Sequence, residues 1–230
     1  MNNNREWFNT NKSKYIEAKE EFEKFVGALI SEIKEIDNSI GEQEAKNCVF
    51  RIYKDVRFSK NKEPYKTNFG AVIAKGGRKS PYAGYYFHFE PGGSFMGGGI
   101  YMPQPDILRA IRNAIYNDSS HLKKIINNRN FKNTFGEIHG EKLKSYPRGF
   151  NKYFEDIELI KYKHYTVIKE VDDDFWFNQD MIKNILKIVE AQYNFNKYLN
   201  SIIDKQISYT ASKKLSAKEE EEFIKNNFSM

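Results

Sequence analysis

From Tyr65 to Met102 the residue character repeats every second position, and two turn-forming breaks divide the run into short pieces. Tyr65, Thr67, Phe69, Ala71 and Ile73 share one phase of a first piece, with Lys66 and Asn68 opening the other. Gly76, Gly77 and Pro81 interrupt it. A second piece, Gly84 to Glu90, sets Tyr85, Phe87 and Phe89 against Tyr86, His88 and Glu90. After PGGS a third piece runs from Phe95 to Met102. A period of two is the signature of strands whose two faces meet different surroundings. Connections this short cannot carry a parallel crossover, so the expected arrangement is an antiparallel meander. Two further segments read as strands: Val49 to Arg57 before the run and Tyr165 to Val171 well after it, giving four to five in all.

Helical spacing brackets the sheet. Tyr15, Phe22, Phe25, Val26, Leu29, Ile30, Ile33 and Ile36 recur as one stripe, which predicts a long amphipathic helix over Trp7 to Ile36 with a short turn ahead of it. Pro105 suits the first turn of a helix over Asp106 to Tyr116, and Asp118 or Ser119 caps another to Ile126. The stretch Phe131 to Phe154 reads as an ordered loop pinned by its aromatic residues. Asn178 caps a helix from about Gln179 to Ile203, whose stripe includes Met181, Ile185, Val189 and Leu199. Helix, then sheet, then helices is an α+β order. Residues 1–207 are expected to form one domain packed by N- and C-terminal amphipathic helices. Residues 208–230 read as a tail, where Ser216 and Glu219 spell a capping box for a short separate helix.

The balance of side chains narrows the functional classes. Apolar residues make up 40% of the chain and charged residues 30%, a soluble globular composition, and no apolar run approaches the roughly 20 residues of a membrane span. MNNNREWF lacks a leader's apolar segment, so a cytoplasmic protein without membrane attachment is expected. The single cysteine, Cys48, forms no internal disulfide and reads as a small buried residue. No metal-ligand spacing occurs, and nothing in the pattern names a cofactor.

Charge is concentrated in one place. Between Asn47 and Ser80 nine Lys/Arg face two acids, +7 within 34 residues, so the rest of a chain whose net charge is +6 sums to −1. Strand phase for Val49 to Arg57 sets Phe50, Ile52 and Val56 toward the core and Arg51, Tyr53, Asp55 and Arg57 outward, beside Lys66, Tyr86 and His88. Arginines two residues apart beside tyrosines suit a phosphate or carboxylate. The expected ligand-binding set is therefore Arg51, Tyr53, Arg57, Lys66, Arg78, Lys79 and Tyr86, taking an anionic, phosphate- or carboxylate-bearing small molecule. His88 with Glu90 and Asp55 offers a general base oriented by a carboxylate, which makes these three the candidate catalytic residues. Enzyme and binder both remain open on this pattern. Two alternatives go with it: a nucleic-acid-binding surface, where basic residues alternate with rings, and a non-catalytic module for an acidic protein surface.

The glycine runs are read structurally. GGRKS lacks the spacing of a phosphate loop, although its backbone N–H groups with Arg78 and Lys79 suit an anion. GGSFMGGG lacks the helix start of a dinucleotide fingerprint, and close passage of a helix across the strand explains it better. Asp172 to Asp174 reads as a solvated turn.

NNREWF, FRIYKDVRFSKNKEPYKTNFGAVIAKGGRKSPYAGYYFHFEPGGSFMGGGIYMPQP and FKNTFGEIHGEKLKSYPRGF resemble the signature segments of a conserved hypothetical family, a domain of unknown function widespread in bacteria and with fungal members. The similarity runs to roughly Asn200 and leaves out the tail. It implies a single α+β domain and supplies no reaction, cofactor or catalytic residue. Lys54 departs from the arginine of the family pattern, keeping the charge without the bidentate fork.

Overall fold

The computed structural model describes residues 2–55, 57 and 62–228, with backbone alone for 214–228. Helix α1 (Arg5–Thr10) starts at Asn4, whose side chain accepts a hydrogen bond from Trp7 N–H. Helix α2 (Lys12–Ile36) follows directly, so the short turn expected to carry Trp7 and Phe8 ahead of the long helix is itself a helix, separated from it at Asn11. Phe22, Val26, Leu29, Ile30 and Ile33 are the buried stripe of α2, at the i, i+4, i+7, i+8 spacing that lines up one helix face. A short helix α3 (Ala45–Cys48) leads into the basic stretch.

The sheet is a four-stranded antiparallel meander in the order β1 (Phe69–Ala74), β2 (Gly84–Phe89), β3 (Phe95–Ile100), β4 (Tyr165–Glu170). Between β3 and β4 lie α4 (Pro105–Asn117), α5 (Ser120–Ile126), α6 (Arg129–Phe135) and α7 (Ile157–Ile160). The last helix, α8 (Met181–Phe228), runs unbroken for 48 residues through the segment expected to hold a separate capped helix. The side chains of Ser216 and Glu219 lie outside the described ones. The expected loop over Phe131 to Phe154 is helical at its start, in α6, and irregular beyond, with Phe150 and Phe154 packed on Tyr116 as pinning aromatics. Among the described residues no helix is long and apolar enough to cross a membrane.

Helices cover one face of the sheet. Ala71, Ile73, Tyr85, Phe87 and Met96 pack with α2 and the start of α8, while Ile100, Tyr165 and Val167 pack with α4, α5, α6 and the middle of α8. Each such aliphatic or aromatic side chain withdrawn from water contributes roughly 1.5–3 kcal/mol. Across the glycines of β3, α8 approaches the backbone directly. A Cβ on Gly98 would stand 1.9 Å from Gly84 O and 2.6 Å from Gln192 Nε2, and one on Gly99 would meet Phe195 at 3.1 Å. The nearest obstacle at each glycine is a neighbouring strand's carbonyl, Val167 O at 1.9 Å for Gly97, Gly84 O at 1.9 Å for Gly98 and Tyr165 O at 2.2 Å for Gly99, so the run serves tight strand packing first and passage of α8 second. Gln192, Asn196 and Asn200 form a buried amide row at four-residue spacing on α8. Gln192 donates to Gly84 O at 2.9 Å, and Asn200 clamps Ala83, accepting from its N–H at 2.8 Å and donating to its C=O at 3.2 Å.

The expected strand Val49 to Arg57 is not a member of the sheet. Residues 49–54 run antiparallel to 64–71 as a ribbon held by single bridges, Val49 with Ala71 and Tyr53 with Tyr65. Val56 lies outside the described residues. The pairing also overturns the expected phase. Val49 is partnered with core-facing Ala71, so it is buried and Phe50 turns to the opposite, open face, where its ring meets Tyr86 at 6.1 Å. A one-residue change of phase exchanges every side chain between faces, and the short helix α3 sets where the count begins.

Candidate functional site

A bulge builds the centre of the open face. Phe50 N–H donates to Gly70 O and Lys66 N–H to Ile52 O, so one chain advances two residues while the other advances four. The two surplus residues are Thr67 and Asn68. A bulge bends its strand and re-aims side chains, and here both surplus residues turn toward β2. Thr67 Oγ1 donates to Glu90 Oε1, and Asn68 Nδ2 lies 3.3 Å from His88 Nδ1. Strict alternation places Thr67 with the core, and its polar side chain in that apolar phase was the available signal of the bulge.

His88 sits at the middle of this network. Its Nε2 lies 3.0 Å from Glu90 Oε2, its Nδ1 lies 2.9 Å from Tyr86 Oη, and its ring stacks on Phe95 at 4.5 Å. A carboxylate only accepts, so Nε2 carries a proton toward Glu90, and Nδ1 is the ring nitrogen that faces the Tyr86 hydroxyl. The Glu90 carboxyl is held below its ordinary range, first by the Thr67 hydroxyl and then by His88. The Tyr86 phenol is pushed up by burial and by the nearby Glu90 charge, which keeps it a neutral donor. Side-chain exposure is 15% for His88 and 33% for Glu90, so water reaches the pair from the carboxylate side.

Asp55 is not joined to this pair. It binds Arg57 through both carboxylate oxygens, at 2.9 Å to Nε and 2.6 Å to Nη2, and these bonds draw its carboxyl down to about 2. Among the described residues no three His, Cys, Asp or Glu side chains gather as a metal-holding set. Arg57 is accordingly engaged with its own neighbour. Tyr53 turns to the helix side of the ribbon, its ring 5.5 Å from Tyr65, which in turn stacks on Phe8. Lys54 pairs with Glu63 at 3.3 Å, and Lys75 with Asp204 at 2.7 Å.

Four cations of the stretch, Arg51, Lys66, Arg78 and Lys79, make no salt bridge among the described residues. The Lys66 ammonium lies 5.2 Å from the centre of the Phe50 ring and the Arg78 guanidinium 4.8 Å from the same centre. Arg78 donates to Asn47 O at 3.2 Å. Arg51 is exposed, and it acts with Arg78 on Lys66. The Lys66 ammonium is shifted down, chiefly by burial and further by those two guanidiniums. Positive charge partly withdrawn from water beside like charge is unfavourable until an anion joins it. Lys79 is exposed on the turn beyond Gly76 and Gly77. Two open concavities lie elsewhere: one of about 620 Å³ between α2 and the start of α8, and one of about 740 Å³ among α5, α6 and α8.

These features define an α+β protein with an antiparallel sheet, helices on one face and a bulged ribbon at the edge of the other. The chain belongs to the conserved hypothetical protein family DUF2461, whose sequence pattern matches residues 1–198. Neither a curated protein nor a solved structure matches it.

Proposed function

We propose that the open sheet face binds an anionic ligand, a phosphate or a carboxylate, between Lys66 and Arg78, with Arg51 adding the field of its charge from the ribbon's other side. The observation that carries this reading is the partly buried Lys66 ammonium, held down by burial and by two guanidiniums, with no acidic partner among the described residues. Acids elsewhere in the stretch are already engaged, Asp55 by Arg57 and Glu63 by Lys54. Charge-assisted bonds from a lysine and an arginine are about twice as strong as neutral ones, and the arginine fork fits two oxygens of the ligand. The Thr67–Glu90–His88–Tyr86 network satisfies its own hydrogen bonds and acts as a rigid floor beside the cations.

Calorimetric titration of inorganic phosphate and of acetate into the wild type and into Lys66→Ala/Arg78→Ala tests it. Saturable binding that falls about tenfold or more in the double variant is expected. No binding to the wild type, or equal binding by both proteins, refutes it.

A further inference from the structure

Phe50, Val72, Tyr86, Phe95 and Ile168 belong to neither of the apolar clusters that the helices form. The register puts four of them on one surface: Val72 pairs with Tyr86, Tyr86 with Gly97, Gly97 with Ile168, and Phe95 with His88. Phe50 joins them from the ribbon. All five are only half-buried. The rings form a connected path starting at the cations. Phe50, flanked by Lys66 and Arg78, is 6.1 Å from Tyr86, and Tyr86 is 5.5 Å from Phe95. A lone inorganic anion held at the cations would leave those two ring steps unused.

Resting on the anion reading above, we propose that the ligand is a nucleotide, its phosphate held by Lys66 and Arg78 and its planar base lying against Tyr86 and Phe95. Aromatic side chains on the central strands of an open sheet are a recurrent surface for bases, because every base has a flat π-face to stack. Charge sets the length of the ligand. Among the described residues, Arg51, Lys66 and Arg78, with the exposed turn residue Lys79, make no salt bridge in the basic stretch, whereas the far side of the same face carries Glu90 and Glu170, the latter opposite Phe95. A phosphate backbone continuing across the sheet meets these carboxylates. The surface therefore suits one nucleotide unit, with its phosphate at the ribbon edge, and opposes a longer strand.

The test compares inorganic phosphate, ribose 5-phosphate, adenosine 5′-monophosphate and uridine 5′-monophosphate by ligand-observed NMR and calorimetry on the full chain. Both nucleotides are expected to bind about tenfold or more tightly than ribose 5-phosphate, the gain from stacking one base on a ring. Phe95→Leu should shrink that ratio toward one. The ratio is taken within one protein sample, so a partly unfolded variant does not distort it. Equal affinity for nucleotides and ribose 5-phosphate overturns the nucleotide assignment while leaving the anion reading standing. So does a ratio that Phe95→Leu leaves intact. Binding of a single-stranded oligonucleotide well above either monophosphate, with steep salt dependence, overturns it in favour of a strand. Failure of all four probes to bind the wild type overturns both readings.

Discussion

Replacing Asn200 by alanine should destabilise the protein far more than an average change on α8. Asn200 is 8% exposed and Ala83 2%, and the amide makes both hydrogen bonds that the Ala83 peptide groups form with α8. Truncation leaves a buried N–H and a buried C=O without those partners, at about 1–3 kcal/mol each. Alanine recovers up to about 0.7 kcal/mol through its better helix propensity. The net loss is therefore about 1–6 kcal/mol. With a urea slope of about 2–3 kcal/mol per molar, the unfolding midpoint should fall by roughly 0.5 M or more at unchanged slope. Circular dichroism at 222 nm during urea titration measures it, with Asn194→Ala, exposed on the same helix, as a control expected to stay within about 0.5 kcal/mol of wild type. A midpoint for Asn200→Ala indistinguishable from that control would refute the claim that the amide row anchors α8 to the start of β2.

Gly98→Ala should cost more than about 3 kcal/mol or prevent soluble expression, since its Cβ would overlap Gly84 O at 1.9 Å and the residue has φ +141°; a near-wild-type melting temperature would contradict this close approach of β2 to β3. Thr67→Val should raise the Glu90 carboxyl pKa, because the hydroxyl is the largest influence holding it down; carbon-detected NMR titration reads the shift, and no movement would remove Thr67 from the network. For Glu90 itself, a folded pKa below the unfolded one means that its contribution is present above the unfolded value, about 4.3, and is lost as pH falls through the lower folded value. Glu90→Gln should therefore flatten the acid limb of stability below about pH 4.3 and leave its shape at neutral pH unchanged, as followed by thermal melts across pH. Saturating phosphate should raise the depressed pKa of Lys66, detectable by NMR of the labelled lysine; a constant value would put the anion elsewhere.

The sheet was legible because β2 and β4 alternate and glycine or proline marks the turns from β1 to β3, and the stripes of α2 and α8 were legible because 3.6-residue spacing is hard to mistake. The ribbon was not. FRIYKDVR alternates as a strand does, yet pairing begins at Val49 beside Ala71, and that phase reverses which of Phe50 and Arg51 meets the open face. Periodicity gives the alternation and leaves its sign to tertiary pairing. The bulge was missed for a related reason: an inserted pair of residues keeps a period of two intact on either side, so only the misplaced polarity of Thr67 marks it. Within the proposed site, Lys66, Arg78, Tyr86, His88 and Glu90 were reachable from sequence. The withdrawal of Arg57 into a pair with Asp55 was not, because residues two apart on a strand share a face and give no sign of bonding each other. The amide row on α8 had a readable sign, three carboxamides at four-residue spacing inside an apolar stripe.

The two ribbons flanking the sheet bear on how copies of this protein meet. The outer edge of β1 is taken in part by residues 49–54, and the outer edge of β4 by His139 and Lys142, which bridge to Thr166 and Tyr162. An uncovered strand invites a neighbouring chain to extend the sheet. Here each side ends in an interrupted ladder, bulged at one end and charged along both, which gives an incoming strand no continuous row of amides to join. The four strands are thereby insulated from edge-to-edge association, on the β1 side by the same irregular segment that sets Phe50 between Lys66 and Arg78.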